Sequence, residues 1–68
     1  MRIYFQTKSK GRAGISRFKT YYTDKYTTFT ALKKRLAGGF YGVPVWMKKE
    51  NQLDDETRKR LEQTAEEF

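Results

Sequence analysis

The stretch Ser16-Arg17-Phe18-Lys19-Thr20-Tyr21-Tyr22-Thr23 changes side-chain character residue by residue, which constrains the chain more than any other feature. Successive side chains of a strand point to opposite faces, so Phe18, Thr20 and Tyr22 fall on one side and Arg17, Lys19 and Tyr21 on the other. Arg2-Ile3-Tyr4-Phe5-Gln6-Thr7 divides in the same way, Ile3 and Phe5 against Arg2, Tyr4 and Gln6. Paired, the two strands predict a greasy inner face and an outer face of cations and tyrosines. One face packs and the other binds.

Between them, Lys8-Ser9-Lys10-Gly11-Arg12-Ala13-Gly14 has no apolar anchor and two glycines. It reads as a long, mobile hairpin connection that carries Lys8, Lys10 and Arg12 beyond the sheet. Gly11 and Gly14 do not make a phosphate-cradling loop, because the Gly-x-x-x-x-Gly-Lys-Ser/Thr spacing is absent.

After a turn at Asp24-Lys25, Thr27 or Thr28 caps a helix over residues 29–37. Phe29, Leu32 and Leu36 line its sheet-facing side, with Lys33 and Lys34 opposite and a left-handed stop expected at Gly38-Gly39. Lys33, Lys34 and Arg35 suit the negative end of the helix dipole and equally suit an anionic partner. A third strand is predicted from Phe40 to Lys48, with Val43, Val45 and Met47 on one face and Trp46 and Lys48 on the other. Pro44, which cannot donate to a ladder, places that strand at an edge or a bulge. The last element reads as a helix over residues 55–68, started by Asp54, Asp55 and Glu56. Pairs Asp55–Lys59, Glu56–Arg60 and Arg58–Glu62 brace it, and Leu61, Ala65 and Phe68 form a thin apolar stripe.

The expected fold is one α+β domain over residues 1–68: a small antiparallel sheet in β-β-α-β-α order, one helix on one face and a charged C-terminal helix. Its predicted core is Ile3, Phe5, Phe18, Tyr22, Phe29, Leu32, Leu36, Val43, Val45, Met47 and Leu61. A chain of 68 residues without cysteine has neither a large core nor a disulfide to support it, so a homodimer or a bound macromolecule is a reasonable completion. No apolar run is long enough for a bilayer span and the amino terminus lacks a secretory core, so a cytoplasmic protein with no membrane partner is expected.

Charge divides the chain in two. Through Lys49, twelve lysines and arginines stand against one acid, Asp24; from Glu50 onward, three stand among seven acids. Residues 1–49 are a basic body and residues 50–68 an acidic segment, an asymmetry that directs the body towards polyanions. Histidine and cysteine are absent, which removes the usual general bases, thiol nucleophiles and zinc ligands. Asp54, Asp55, Glu56 and Glu62 read as a solvated helix face. No enzyme, cofactor, metal or small-molecule substrate is expected.

These observations predict a non-catalytic binding protein whose basic, tyrosine-bearing hairpin face engages nucleic acid or a nucleoprotein complex. Its contact residues are expected to be Arg2, Tyr4, Lys8, Lys10, Arg12, Arg17, Lys19, Tyr21, Lys33, Lys34 and Trp46. No helix-turn-helix, zinc finger or RNP run is legible, so backbone, shape or single strands would be recognised. The alternative is a small inhibitor of phage or mobile-element type, anti-CRISPR-like in size and composition, that binds a nucleic-acid-handling protein through the same Tyr-, Trp- and Arg-bearing surface.

Overall fold

A computed structural model describes residues 2–39 and 44–68, without the side chains of Lys10 and Arg12. Strands β1 (Ile3–Lys10) and β2 (Ser16–Thr23) form an antiparallel hairpin, followed by helix α1 (Phe29–Ala37) and strand β3 (Trp46–Lys49). Helix α2 (Asp55–Thr64) and the two-residue strand β4 (Glu66–Glu67) complete the chain. The strand order is β3-β1-β2-β4, antiparallel except that β4 runs parallel to β2. The expected α+β architecture holds and β3 lies at an edge, but it begins at Trp46 rather than Phe40, so Pro44 precedes the strand instead of interrupting it.

The hairpin register decides everything above it. Ile3 pairs with Thr23, Phe5 with Tyr21, Tyr4 with Tyr22 and Lys8 with Phe18, so odd-numbered residues face odd-numbered ones across the ladder. Ile3, Phe5 and Tyr21 therefore share a face, and Leu32 and Leu36 of α1 complete the core on it. Tyr26, Phe29, Met47 and Phe68 pack around that cluster. The opposite face carries Tyr4, Gln6, Thr20, Tyr22, Trp46 and Lys48. There Leu53, from the turn before α2, and Thr57 and Leu61 of α2 come up to Trp46 and Lys48.

This corrects the expected hairpin. Tyr21 belongs to the helix-covered face rather than an outer one, and Phe18 leaves the core, with 56% of its surface exposed. Tyr4 does lie opposite Phe5, yet it is fully buried. Val45 is also half exposed, while Tyr22 is only half-buried. The expectations for Phe40 and Val43 lie outside the described residues.

Local chemistry explains the elements. The Thr28 hydroxyl accepts the Ala31 N–H at 3.3 Å and starts α1. Its end is right-handed, with Gly38 at φ −78° and its N–H donating to the Lys34 carbonyl, so the expected left-handed stop does not form. The hairpin loop is shorter than predicted, because β1 continues through Lys10 and leaves only residues 11–15 to reverse the chain. Ala13 (φ 62°) and Gly14 (φ 75°) make the sharp part of that turn in left-handed geometry. Gly11 donates to the Ile15 carbonyl at 2.7 Å, an approach so close that a Cβ at position 11 would sit 2.8 Å from the same oxygen.

From β3 the chain turns at Glu50–Gln52, where Glu50 N–H donates to the Arg2 carbonyl at 2.9 Å. The Asp54 carboxylate then caps α2 by accepting the Thr57 N–H at 3.3 Å. The helix stops at Thr64 instead of running to Phe68. Ala65 is extended, Glu66–Glu67 add to β2, and Phe68 donates its N–H to the Tyr22 carbonyl while its ring meets Phe5 edge-on at 5.2 Å. Burying that aromatic ring outweighs one more turn of an exposed acidic helix.

Candidate functional site

The expected contact residues divide into three groups. Tyr4 and Tyr21 are structural. Tyr21 lies 5.5 Å from Phe5, ring on ring, and is only 8% exposed. Tyr4 sits on the other side of the sheet, its ring 6.3 Å from that of Tyr22. Two buried rings on opposite faces offer no common stacking surface, so the tyrosine-bearing face is corrected.

Arg2 and Lys19 are engaged within the fold. The Arg2 guanidinium forms a two-pronged contact with Asp24, each prong 3.2 Å, and lies 4.3 Å over the Tyr22 ring. The hydrogen bonds it donates to the Asp24 carboxylate, and after them the nearby Tyr4 phenol, push its pKa further above the ordinary arginine value. The Tyr4 hydroxyl itself is buried without a hydrogen bond of good geometry. Lys19 reaches Glu66 at 2.9 Å and ties β2 to β4; that contact raises the lysine pKa.

Lys8, Arg17, Lys33, Lys34 and Trp46 remain. Lys8 and Arg17 are exposed on the far half of the hairpin, in cross-strand pairs with Phe18 and Ser9. Lys33 and Lys34 are exposed on α1, which covers the Ile3 and Phe5 face, so they belong to a different layer from Trp46. None of Lys8, Arg17, Lys33, Lys34 or Lys48 joins an ion pair among the described residues. For Lys10 and Arg12 the expectation lies outside the described side chains, though β1 carries the Lys10 backbone on the parity of Lys8.

Trp46 opens a second feature. With Lys48, Leu53, Thr57 and Leu61 it lines an open cleft of about 370 Å³ between β3 and α2, largely apolar with the lysine among its lining residues. On the same face, Phe18 stands across from Lys8, and the Gln6 amide donates to Thr20 Oγ1 at 3.4 Å between Phe18 and Trp46. The helix acids do not neutralise this face by pairing with it. Asp55 and Glu62 contact Arg58 at 3.4 and 4.0 Å, and Glu56 contacts Arg60 at 3.9 Å.

Sequence reasoning puts Gln6 and Lys48 on an outer face but not among the contact residues, and sets Phe18 and Thr20 on the packing face, whereas the register places them on the face of Gln6 and Trp46. The signal that would have found them is the length of the turn: an odd number of loop residues puts Phe18 across from Lys8 rather than beside Phe5.

Among the described residues, no helix is long and apolar enough to cross a membrane, and no cluster of three or more acidic, histidine or cysteine side chains is placed to hold a metal. No protein-family model, curated protein or solved structure matches the chain.

Proposed function

We propose that this is a non-catalytic binding protein for a polyanionic partner, nucleic acid or a nucleoprotein complex, engaged by the far half of the β1–β2 hairpin and the face that extends from it to Trp46. The observation that carries the reading is the separation of charge. Arg2 and Lys19 pair with Asp24 and Glu66. Lys8 and Lys48, on the face of Trp46, and Arg17, on the other face of the hairpin's far half, join no ion pair among the described residues. Cations in that state release the counterions of a phosphate backbone when they bind it. The absence of histidine and cysteine supports a role without chemistry.

The test is affinity for fluorescent oligonucleotides as salt rises from low to physiological. A log–log slope of roughly −0.7 to −0.9 per phosphate contact is expected, with Lys8→Ala and Arg17→Ala each lowering it by about one contact. A flat salt dependence overturns the reading.

A second reading has its own observation. Ile15 and Val45 are 67% and 50% exposed, more apolar surface than phosphate contact explains, and they suit a protein partner that itself handles nucleic acid. Retention of one protein from nuclease-treated lysate, with no binding to bare oligonucleotides, favours this inhibitor role.

A further inference from the structure

We infer that the sheet face bearing Phe18 and Trp46 is a stacking platform for single-stranded nucleic acid, an inference that rests on the polyanion reading and gives it a substrate class. Phe18 on β2 and Trp46 on β3 flank β1, opposite Lys8 and Gln6 respectively. Two strand spacings and two residues separate them, a diagonal of roughly 12 Å. Adjacent bases of a duplex are only about 3.4 Å apart, and their faces are already covered by their neighbours. Two aromatic groups this far apart on one surface fit bases splayed from an unpaired strand, each of which has a bare π-face to offer.

The groups between and around the two rings are those such a strand requires. Lys8 and Lys48 are exposed beside Phe18 and Trp46 and make no ion pair among the described residues, so each can meet a phosphate. Gln6 and Thr20 lie between the rings, and the Gln6 amide oxygen is an acceptor for a base edge. At the Trp46 end the cleft with Leu53, Thr57 and Leu61 gives one base an apolar wall and a hydroxyl. On α2, Asp55 and Glu62 contact Arg58 and Glu56 contacts Arg60, so none of these three acids pairs with Lys8 or Lys48.

Trp46, the one tryptophan, reports directly on its occupancy. The experiment titrates the whole protein with oligo(dT), oligo(U) and a duplex of matched length, reading Trp46 emission and affinity together. Single strands are expected to quench Trp46 and to bind more tightly than duplex. Phe18→Ala should weaken single-strand binding about 5- to 150-fold, the range for loss of one stacked base, without moving the thermal midpoint. Lys48→Ala, an exposed change that leaves the core intact, should reduce the salt slope by about one contact. Duplex binding as tightly as single strands, with Trp46 emission unchanged, overturns the platform and leaves the polyanion reading standing. Single-strand affinity unaltered by Phe18→Ala also overturns it, as does a Phe18-dependent self-association that blocks the oligonucleotides. If no nucleic acid binds at all, both readings fall together.

Discussion

Phe5 and Tyr21 face each other across the β1–β2 ladder with ring centroids 5.5 Å apart and planes 21° from parallel, and Phe68 closes on both from the side. This aromatic trio, seated against Leu32 and Leu36, joins the hairpin, α1 and the C-terminal strand into one core. It also fixes which residues of β2 reach solvent, because Tyr21 cannot turn inward without turning Phe18 outward.

A pair of alanine substitutions separates the two possible phases of β2. Tyr21→Ala removes a nearly buried aromatic ring and should destabilise the fold by about 3 kcal/mol or more, a large share of the stability of so small a domain. Phe18→Ala touches an exposed ring and should stay within about 0.5 kcal/mol. Urea unfolding of the two variants is the measurement. The reversed order would mean that the ladder runs in the other phase.

The same pair shows how much of the molecule was legible from residues alone. Helix α1 and the inward Met47 follow from local chemistry and are found where they were expected, and of the two candidate caps, Thr27 and Thr28, Thr28 is the one that starts the helix. The phase of β2 was not legible from alternation, because both of its faces carry aromatics and both are partly covered, one by α1 and one by α2. A rule that expects one greasy and one wet face has no purchase on such a strand. The end of α2 escaped for a related reason: Phe68 continues the helical stripe of Leu61 and Ala65, yet Glu66–Glu67 pair with β2 and the Phe68 ring packs on Phe5 instead. The candidate site suffered accordingly. Of the expected cations, Arg2 and Lys19 turn out to pair within the fold, and the placing of the aromatics beside the others depended on register.

Ala13 holds a left-handed backbone, φ 62°, that an L side chain adopts at a cost of roughly 1–2 kcal/mol. Glycine there removes the strain but raises the entropy of the unfolded chain, which takes back about 0.4–1 kcal/mol. Ala13→Gly should therefore stabilise the protein by about 0.5–1 kcal/mol, seen as a higher thermal midpoint. Gly11→Ala should do the opposite, since its new Cβ meets the Ile15 carbonyl at 2.8 Å in a turn whose backbone has little room to shift. An unchanged midpoint for Gly11→Ala would remove that contact from the account of the turn.

Arg2 joins Asp24 and Tyr22 through one planar group, hydrogen bonding at its edge and stacking with its face. Lysine keeps the charge but has neither the fork nor the plane. With Asp24 mostly exposed, Arg2→Lys should cost only about 1 kcal/mol, in part through the lost contact with Tyr22. A double-mutant cycle of Arg2→Ala with Asp24→Asn should show coupling below about 1 kcal/mol that shrinks as salt rises. Coupling that ignores salt would mean that packing, not charge, holds the pair.

Two titrating groups set opposite limits on the pH range of stability. Thr57, through its side chain first and its backbone N–H after that, holds the Asp54 carboxyl below its ordinary value of 3.8, so the contribution of this cap is complete above that pH and is lost as the pH falls through the folded-state value. Glu66 raises Lys19 above its ordinary 10.5, so that contribution is complete below 10.5 and is lost as the pH climbs past the folded-state value. Asn caps a helix about as well as Asp but does not titrate. Below about pH 4 the wild type should therefore lose stability more steeply than Asp54→Asn, measured as denaturant midpoints across the acid range. At alkaline pH, Glu66→Gln should begin less stable than the wild type and converge with it as Lys19 deprotonates. Parallel acid limbs would show that the Asp54 cap does not discriminate between the charged and neutral carboxyl. Alkaline curves that stay apart would show that the Lys19–Glu66 contact acts through packing of β4 rather than through charge.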